Sequence, residues 1–116
     1  GSAYRKNPII QAFIKNLGTC EDLKPKNIRE TAVNEPLINW HSIDGDYTLD
    51  AVRNTGGWCA DASDKSMVQC ARMLGEMEGL KVLPASTAGL IALIEQHKKQ
   101  QLINDRYVAV LTGRKS

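Results

Sequence analysis

Between Val82 and Leu93 the chain runs from a short apolar stretch into an apolar helical stretch through Pro84-Ala-Ser-Thr-Ala-Gly89. Five small residues follow that proline, and small side chains let a helix and its neighbour approach closely. The same step recurs along the second half. Leu80-Lys-Val-Leu83 reads as a strand, residues 86 to about 99 as a helix, and Tyr107-Val-Ala-Val-Leu111 as a strongly apolar strand. Trp58-Cys-Ala-Asp61 reads as a further brief strand before the helix that Ser63 can cap. In that helix Met67, Cys70, Ala71, Leu74 and Met77 or Glu78 recur at three- and four-residue steps, and it ends near Gly79. Short apolar strands alternating with amphipathic helices predict an α/β arrangement with a short, mostly parallel sheet in a partial three-layer α/β/α stack. The strands are too few for a doubly wound sheet, so the expectation is part of a larger layer.

The first half carries one complete helix signature. In Asn7-Pro-Ile-Ile-Gln-Ala-Phe-Ile-Lys-Asn-Leu-Gly18, Asn7 can cap, Pro8 suits the first helical position and Gly18 can take a left-handed exit. Ile10, Phe13, Ile14 and Leu17 then share one apolar face. Pro25 and Pro36 interrupt any long element between residues 19 and 42, and residues 29–33 read as a short strand. Asp44-Gly-Asp46 marks a turn, residues 47–54 a helix, and Thr55-Gly-Gly57 its stop. Gly1-Ser-Ala3 reads as the scar of a cleaved tag, leaving residues 4–116 as one α/β unit.

Charge and composition exclude several functions. The 116 residues are enough for one domain. A formal charge of +2, with scattered cations, makes no electrostatic case for nucleic acid or an anionic membrane. The cluster His97-Lys-Lys99 falls at a helix end, where cations complement exposed carbonyls. No run reaches membrane-spanning length. Cys20, Cys59 and Cys70 match no metal or redox spacing, so reduced thiols and a cytoplasmic location are expected. His41, Asp44 and Asp46 lack calcium-loop spacing, and no metal site is expected. His41 and His97 have no nucleophile partner for a hydrolase triad.

Two segments carry candidate chemistry. Thr112-Gly113 follows the last strand directly, where ligands bind in open α/β sheets, and a threonine hydroxyl can hydrogen-bond a ring nitrogen. Ala85-Ser-Thr-Ala-Gly89 opens a helix after a strand, but the lysine and glycine spacing of a P-loop are absent. Taken alone, a strand-ending turn accounts for the first and a capping serine with close helix packing for the second.

Read in order, several stretches together resemble one family. They are Asn7-Pro-Ile-Ile-Gln-Ala-Phe13, Ile28-Arg-Glu-Thr-Ala-Val33, Glu35-Pro-Leu-Ile-Asn-Trp40 and Ala51-Val-Arg-Asn-Thr-Gly-Gly-Trp58. Ala62-Ser-Asp64, Glu78-Gly-Leu-Lys-Val-Leu-Pro-Ala-Ser86 and Val108-Ala-Val-Leu-Thr-Gly113 follow. The series is similar to the C-terminal third of threonine synthase, a pyridoxal-phosphate lyase of fold type II. The resemblance implies the C-terminal piece of a fold-type-II large domain and an amino-acid substrate for the whole enzyme. It implies pyridoxal 5'-phosphate between two domains, with the Schiff-base lysine and phosphate loop outside these residues. No catalytic residue is therefore expected here. Thr112 is implied as the partner of the cofactor's pyridine nitrogen, with Ser86 and Gly113 beside the ring. The chain departs from the family at Leu83, often Glu, and at the ending Arg114-Lys-Ser116. These departures leave threonine synthesis, cysteate synthesis and related replacement or elimination chemistry open. A free-standing interaction or ligand-sensing module descended from such an enzyme is the alternative. By itself the piece is expected to bind no cofactor, to catalyse nothing, and to self-associate through an exposed sheet edge.

Overall fold

The computed structural model describes residues 1–3, 7–21, 30–38, 44–103 and 105–114. Among these it contains four α-helices: α1 (Pro8–Ile14), α2 (Gly45–Asn54), α3 (Asp64–Glu78) and α4 (Ala88–Lys99). Two 3-10 turns, Glu35–Leu37 and Pro84–Thr87, complete the regular structure.

The expected parallel sheet is not formed, and this corrects the α/β and three-layer α/β/α assignment. Among the described residues strand pairing is confined to two isolated bridges, Ser2 with Ala62 (parallel) and Val82 with Arg114 (antiparallel). A strand exists only through a hydrogen-bonded neighbour, so apolar alternation is necessary but not sufficient for one. Residues 80–83 meet one such neighbour over a single bridge, and that pairing is antiparallel. Residues 107–111 meet none, and Val108 and Val110 stand 85% and 71% exposed. Residues 58–61 are likewise irregular, and Gly1 Nα–H donates to Ala60 O at 2.9 Å. Of the strand expected over residues 29–33, residue 29 lies outside the described residues and 32–34 form a turn. That turn is local side-chain chemistry: Thr31 N–H donates to Asn34 Oδ1 at 2.7 Å, and Asn34 N–H donates to Thr31 Oγ1 at 3.1 Å.

The helices follow their end signals more closely. Asn7 Oδ1 accepts from the N–H groups of Ile9 (2.9 Å) and Ile10 (3.2 Å), and Pro8 occupies the first turn of α1. The helix is shorter than its pattern. It stops at Ile14, and Asn16 rather than Gly18 takes the left-handed exit, with φ 55°. Leu17 N–H then donates to Ala12 O at 2.8 Å. That reversal leaves Ile14 and Leu17 exposed, and the buried side of α1 is Pro8, Ile10 and Ala12. In α2 the buried anchor is Leu49, and Arg53 Nη2 donates to Ala12 O at 3.1 Å, tying α2 to the end of α1.

Helix α3 is bounded as its sequence implies. Ser63 Oγ accepts from Ser66 N–H at 3.1 Å, and Gly79 leaves at φ 67°. Gly79 N–H closes on Gly75 O and Leu80 N–H on Leu74 O, both at 3.2 Å, so the turn after the left-handed glycine satisfies carbonyls of the last turns. The core lies between α3 and α4. Ala62, Met67, Cys70 and Ile91 are buried together, with Val33, Leu37, Leu74, Ala88 and Leu90 packed against them. No helix among the described residues is long and apolar enough to cross a membrane.

Candidate functional site

The five small residues after Pro84 do not simply start a helix. Pro84–Thr87 forms a 3-10 turn, and α4 begins only at Ala88. The expected capping role of Ser86 is therefore corrected: no side chain caps α4, and Thr87 stands at the cap position without such a bond. Thr87 is fully buried, and its hydroxyl donates to Pro84 O at 2.7 Å, with Met67 O at 3.4 Å. The turn is thereby tied both to itself and to α3. Ala85 is buried beneath it. Smallness here serves packing of the turn against α3, and α4 carries the first apolar face beyond it.

Ser86, turned the other way, meets the chain end. Its Oγ accepts from Gly113 N–H at 2.6 Å and lies 3.4 Å from Gly113 O, to which the hydroxyl donates. Gly113 O also accepts from Leu83 N–H at 3.0 Å, and Ser86 N–H donates to Leu83 O at 3.0 Å. Residues 83, 86 and 113 thus close one small ring of backbone and hydroxyl bonds. A side chain cannot enter it. A Cβ on Gly113 would fall 2.6 Å from Ser86 Oγ and 2.7 Å from Leu83 Cδ1. Glycine is required at 113 for close approach.

Of the three residues singled out from sequence, the structure brings Ser86 and Gly113 into contact and leaves Thr112 beside them, exposed. Among the described residues Thr112 makes no side-chain hydrogen bond. It borders an open groove of about 540 Å³ whose walls are residues 79–82 and 111–114. Lys81 and Arg114 line the same groove and place cationic side chains on it. Sequence reading missed both. Lys81 sat inside an apolar run read as a strand, and Arg114 lay past the last recognisable element.

The other candidates separate. His41 lies outside the described residues. Asp46 Oδ1 accepts from Cys20 N–H at 2.8 Å, fixing a loop rather than a cation, and Asp44 offers its backbone carbonyl to Thr48. Among the described residues no group of three His, Cys, Asp or Glu side chains could hold a metal ion. His97 Nδ1 accepts from Leu102 N–H at 2.9 Å just beyond α4. All three cysteines are free thiols. Burial pushes the thiols of Cys20 and Cys59 upward, and Asp46 adds to the shift at Cys20 while Arg53 opposes it at both. Such thiols are poor nucleophiles at neutral pH.

The comparison with known proteins points one way. The chain is 30% identical over 109 aligned residues to a threonine synthase of Methanocaldococcus jannaschii. The alignment covers 91% of this chain and 25% of the relative, so the chain spans about a quarter of that protein's length. This supports a relation to threonine synthase over that quarter. No family model and no solved structure matches the sequence.

Proposed function

We propose that these residues are the C-terminal part of a pyridoxal-phosphate enzyme of the threonine synthase kind. The whole protein would convert O-phosphohomoserine and water to threonine and phosphate, and this part would contribute one wall of the cofactor site. The observation that carries the reading is the alignment to threonine synthase along 91% of the chain. The arrangement around residue 112 is consistent with it.

The residues fit one edge of the cofactor. Thr112 offers a neutral hydroxyl at the rim of a groove, and Gly113, where a Cβ would collide with Ser86 and Leu83, holds the backbone in place behind it. When bound, pyridoxal phosphate supplies an electron sink for cleavage at the α- and β-carbons of an amino acid. A hydroxyl facing the pyridine nitrogen donates a neutral hydrogen bond and leaves that nitrogen largely unprotonated. Thr112 would therefore orient the ring and moderate its electron demand. Lys81 and Arg114 place positive charge on the same groove, suited to an anionic phosphate or carboxylate. The Schiff-base lysine and the phosphate loop belong to residues outside this chain.

The test is the reading frame upstream of Tyr4 and the activity of what it encodes. A Ser-x-Lys cofactor motif and a glycine-rich loop upstream are expected. The full chain should release phosphate from O-phosphohomoserine, and Thr112→Val should slow turnover about tenfold, the worth of one hydrogen bond. The 116-residue chain alone should release none. A start codon adjoining Tyr4, or a full chain indifferent to Thr112→Val, would overturn the proposal.

A further inference from the structure

We infer that Ser86 is a positioning residue, which sets the orientation of Thr112 through the Thr112–Gly113 peptide and does not itself meet the ring. The inference rests on the reading above, in which Thr112 faces the cofactor nitrogen.

Gly113 N–H belongs to the same rigid plane as the Thr112 carbonyl, because the peptide unit is planar. Its bond to Ser86 Oγ at 2.6 Å therefore fixes the peptide that leaves Thr112. The hydroxyl proton is committed in the same contact, to Gly113 O at 3.4 Å. One hydroxyl thus takes hold of both sides of residue 113, and its only donor is spent within the protein.

The support behind Ser86 is what makes it an anchor. Its own N–H is bonded to Leu83 O, and the next residue, Thr87, is fully buried and held to Pro84 O and to Met67 O of α3. Ser86 thus stands on a turn fastened to α3. Among the described residues, 107–111 have no ladder that would set the direction in which residue 112 projects. Contacts made by residues 82–83 and 86 with residues 113–114 attach this stretch to the body. Among them, only the Ser86 bond acts on the peptide adjoining Thr112. An attachment of this kind converts a solvent-exposed hydroxyl into one with a set direction, which is the requirement for a hydrogen bond that orients a flat ring.

Amide exchange and ligand titration, both read by nuclear magnetic resonance on the cofactor-free full-length protein, test the inference. The probe is pyridoxine 5'-phosphate, which has the cofactor's ring and phosphate but no aldehyde to react with surface lysines. In the unsubstituted protein Gly113 N–H should be protected, and the Thr112 amide should shift as the probe is added. Ser86→Ala should speed Gly113 exchange about tenfold, in keeping with one lost hydrogen bond, and weaken the Thr112 response several-fold. Ser86→Thr, which keeps the hydroxyl, should restore both. Gly113→Ala, which breaks the contact from the other side, should behave as Ser86→Ala does. A merely structural serine would leave the Thr112 response intact, and that result overturns the inference. So does unchanged Gly113 exchange in Ser86→Ala while the α3 amides stay protected. If Thr112 in the unsubstituted protein ignores the probe although Gly113 is protected, the contact stands and the cofactor reading fails, taking the functional role of Ser86 with it.

Discussion

The α-amino group of Gly1 donates to Ala60 O at 2.9 Å, and burial pulls its pKa below the ordinary value against the opposing charges of Asp61 and Cys59. Burial shifts the Cys20 and Cys59 thiols the other way, upward. The two directions give opposite slopes of stability with pH. The folded chain binds fewer protons at the amine than the unfolded chain does, so stability rises with pH up to about 8, the ordinary amine pKa. It binds more protons at the thiols, so stability falls once pH passes about 8.5, where unfolded thiols ionise. Urea midpoints measured at pH 6, 8 and 9.5 should therefore be highest at pH 8, and a steady trend across all three would contradict this assignment. At the same scale, Thr112 and Ser86 show how far single residues were legible. Both were recognisable as hydroxyls just after an apolar run. That Ser86 spends its hydroxyl on Gly113, leaving Thr112 on the groove, depends on residues 27 positions apart meeting in space.

Helix ends were the most legible elements, because caps act within a few residues. Asn7, Ser63 and Gly79 each do what their type and place imply, since the bonds they make are to neighbours in sequence. Gly79 carries the sharpest consequence. At φ 67° an added Cβ meets open space but a strained backbone. Gly79→Ala should cost about 1 kcal/mol by urea denaturation, with little change in the slope of the transition. A neutral effect would mean that α3 ends differently in solution. Helix α1 shows the limit of local reading. Ile14 and Leu17 lie at helical spacing with Ile10, yet the chain reverses at Asn16 and both are exposed. Asparagine tolerates the left-handed region well enough to compete with a glycine two residues later.

For the whole molecule, the segment at residues 107–111 has the largest unmet demand. Its even-numbered valines, Val108 and Val110, face solvent, and its backbone has no ladder among the described residues. An apolar extended segment with unpaired N–H and C=O groups is a template for another strand. A second copy of the same segment can supply it. Antiparallel pairing about Ala109 would set Val108 opposite Val110 and Tyr107 opposite Leu111 in both halves. A contact this short falls below the roughly 1,000 Å² of a stable interface, so association should be weak and concentration-dependent. Sedimentation equilibrium should show dimer growing with concentration, and Val108→Lys should return the chain to monomer. A monomer at every concentration would remove this contact from consideration.

Sequence alone determined the caps of α1 and α3 at Asn7, Ser63 and Gly79, the burial of Met67 and Cys70 in α3, and the small residues and hydroxyls around residues 85–87 and 112–113. These are short-range matters of capping, backbone freedom and periodicity. It also carried the likeness to threonine synthase. Tertiary structure decided whether the apolar runs became strands, because a strand is completed by a partner that the run itself does not encode. Among the described residues, 80–83 found one antiparallel bridge and 107–111 found no strand partner. It also decided that Ser86 would grip Gly113, since only the fold brings a turn fastened to α3 against the chain end.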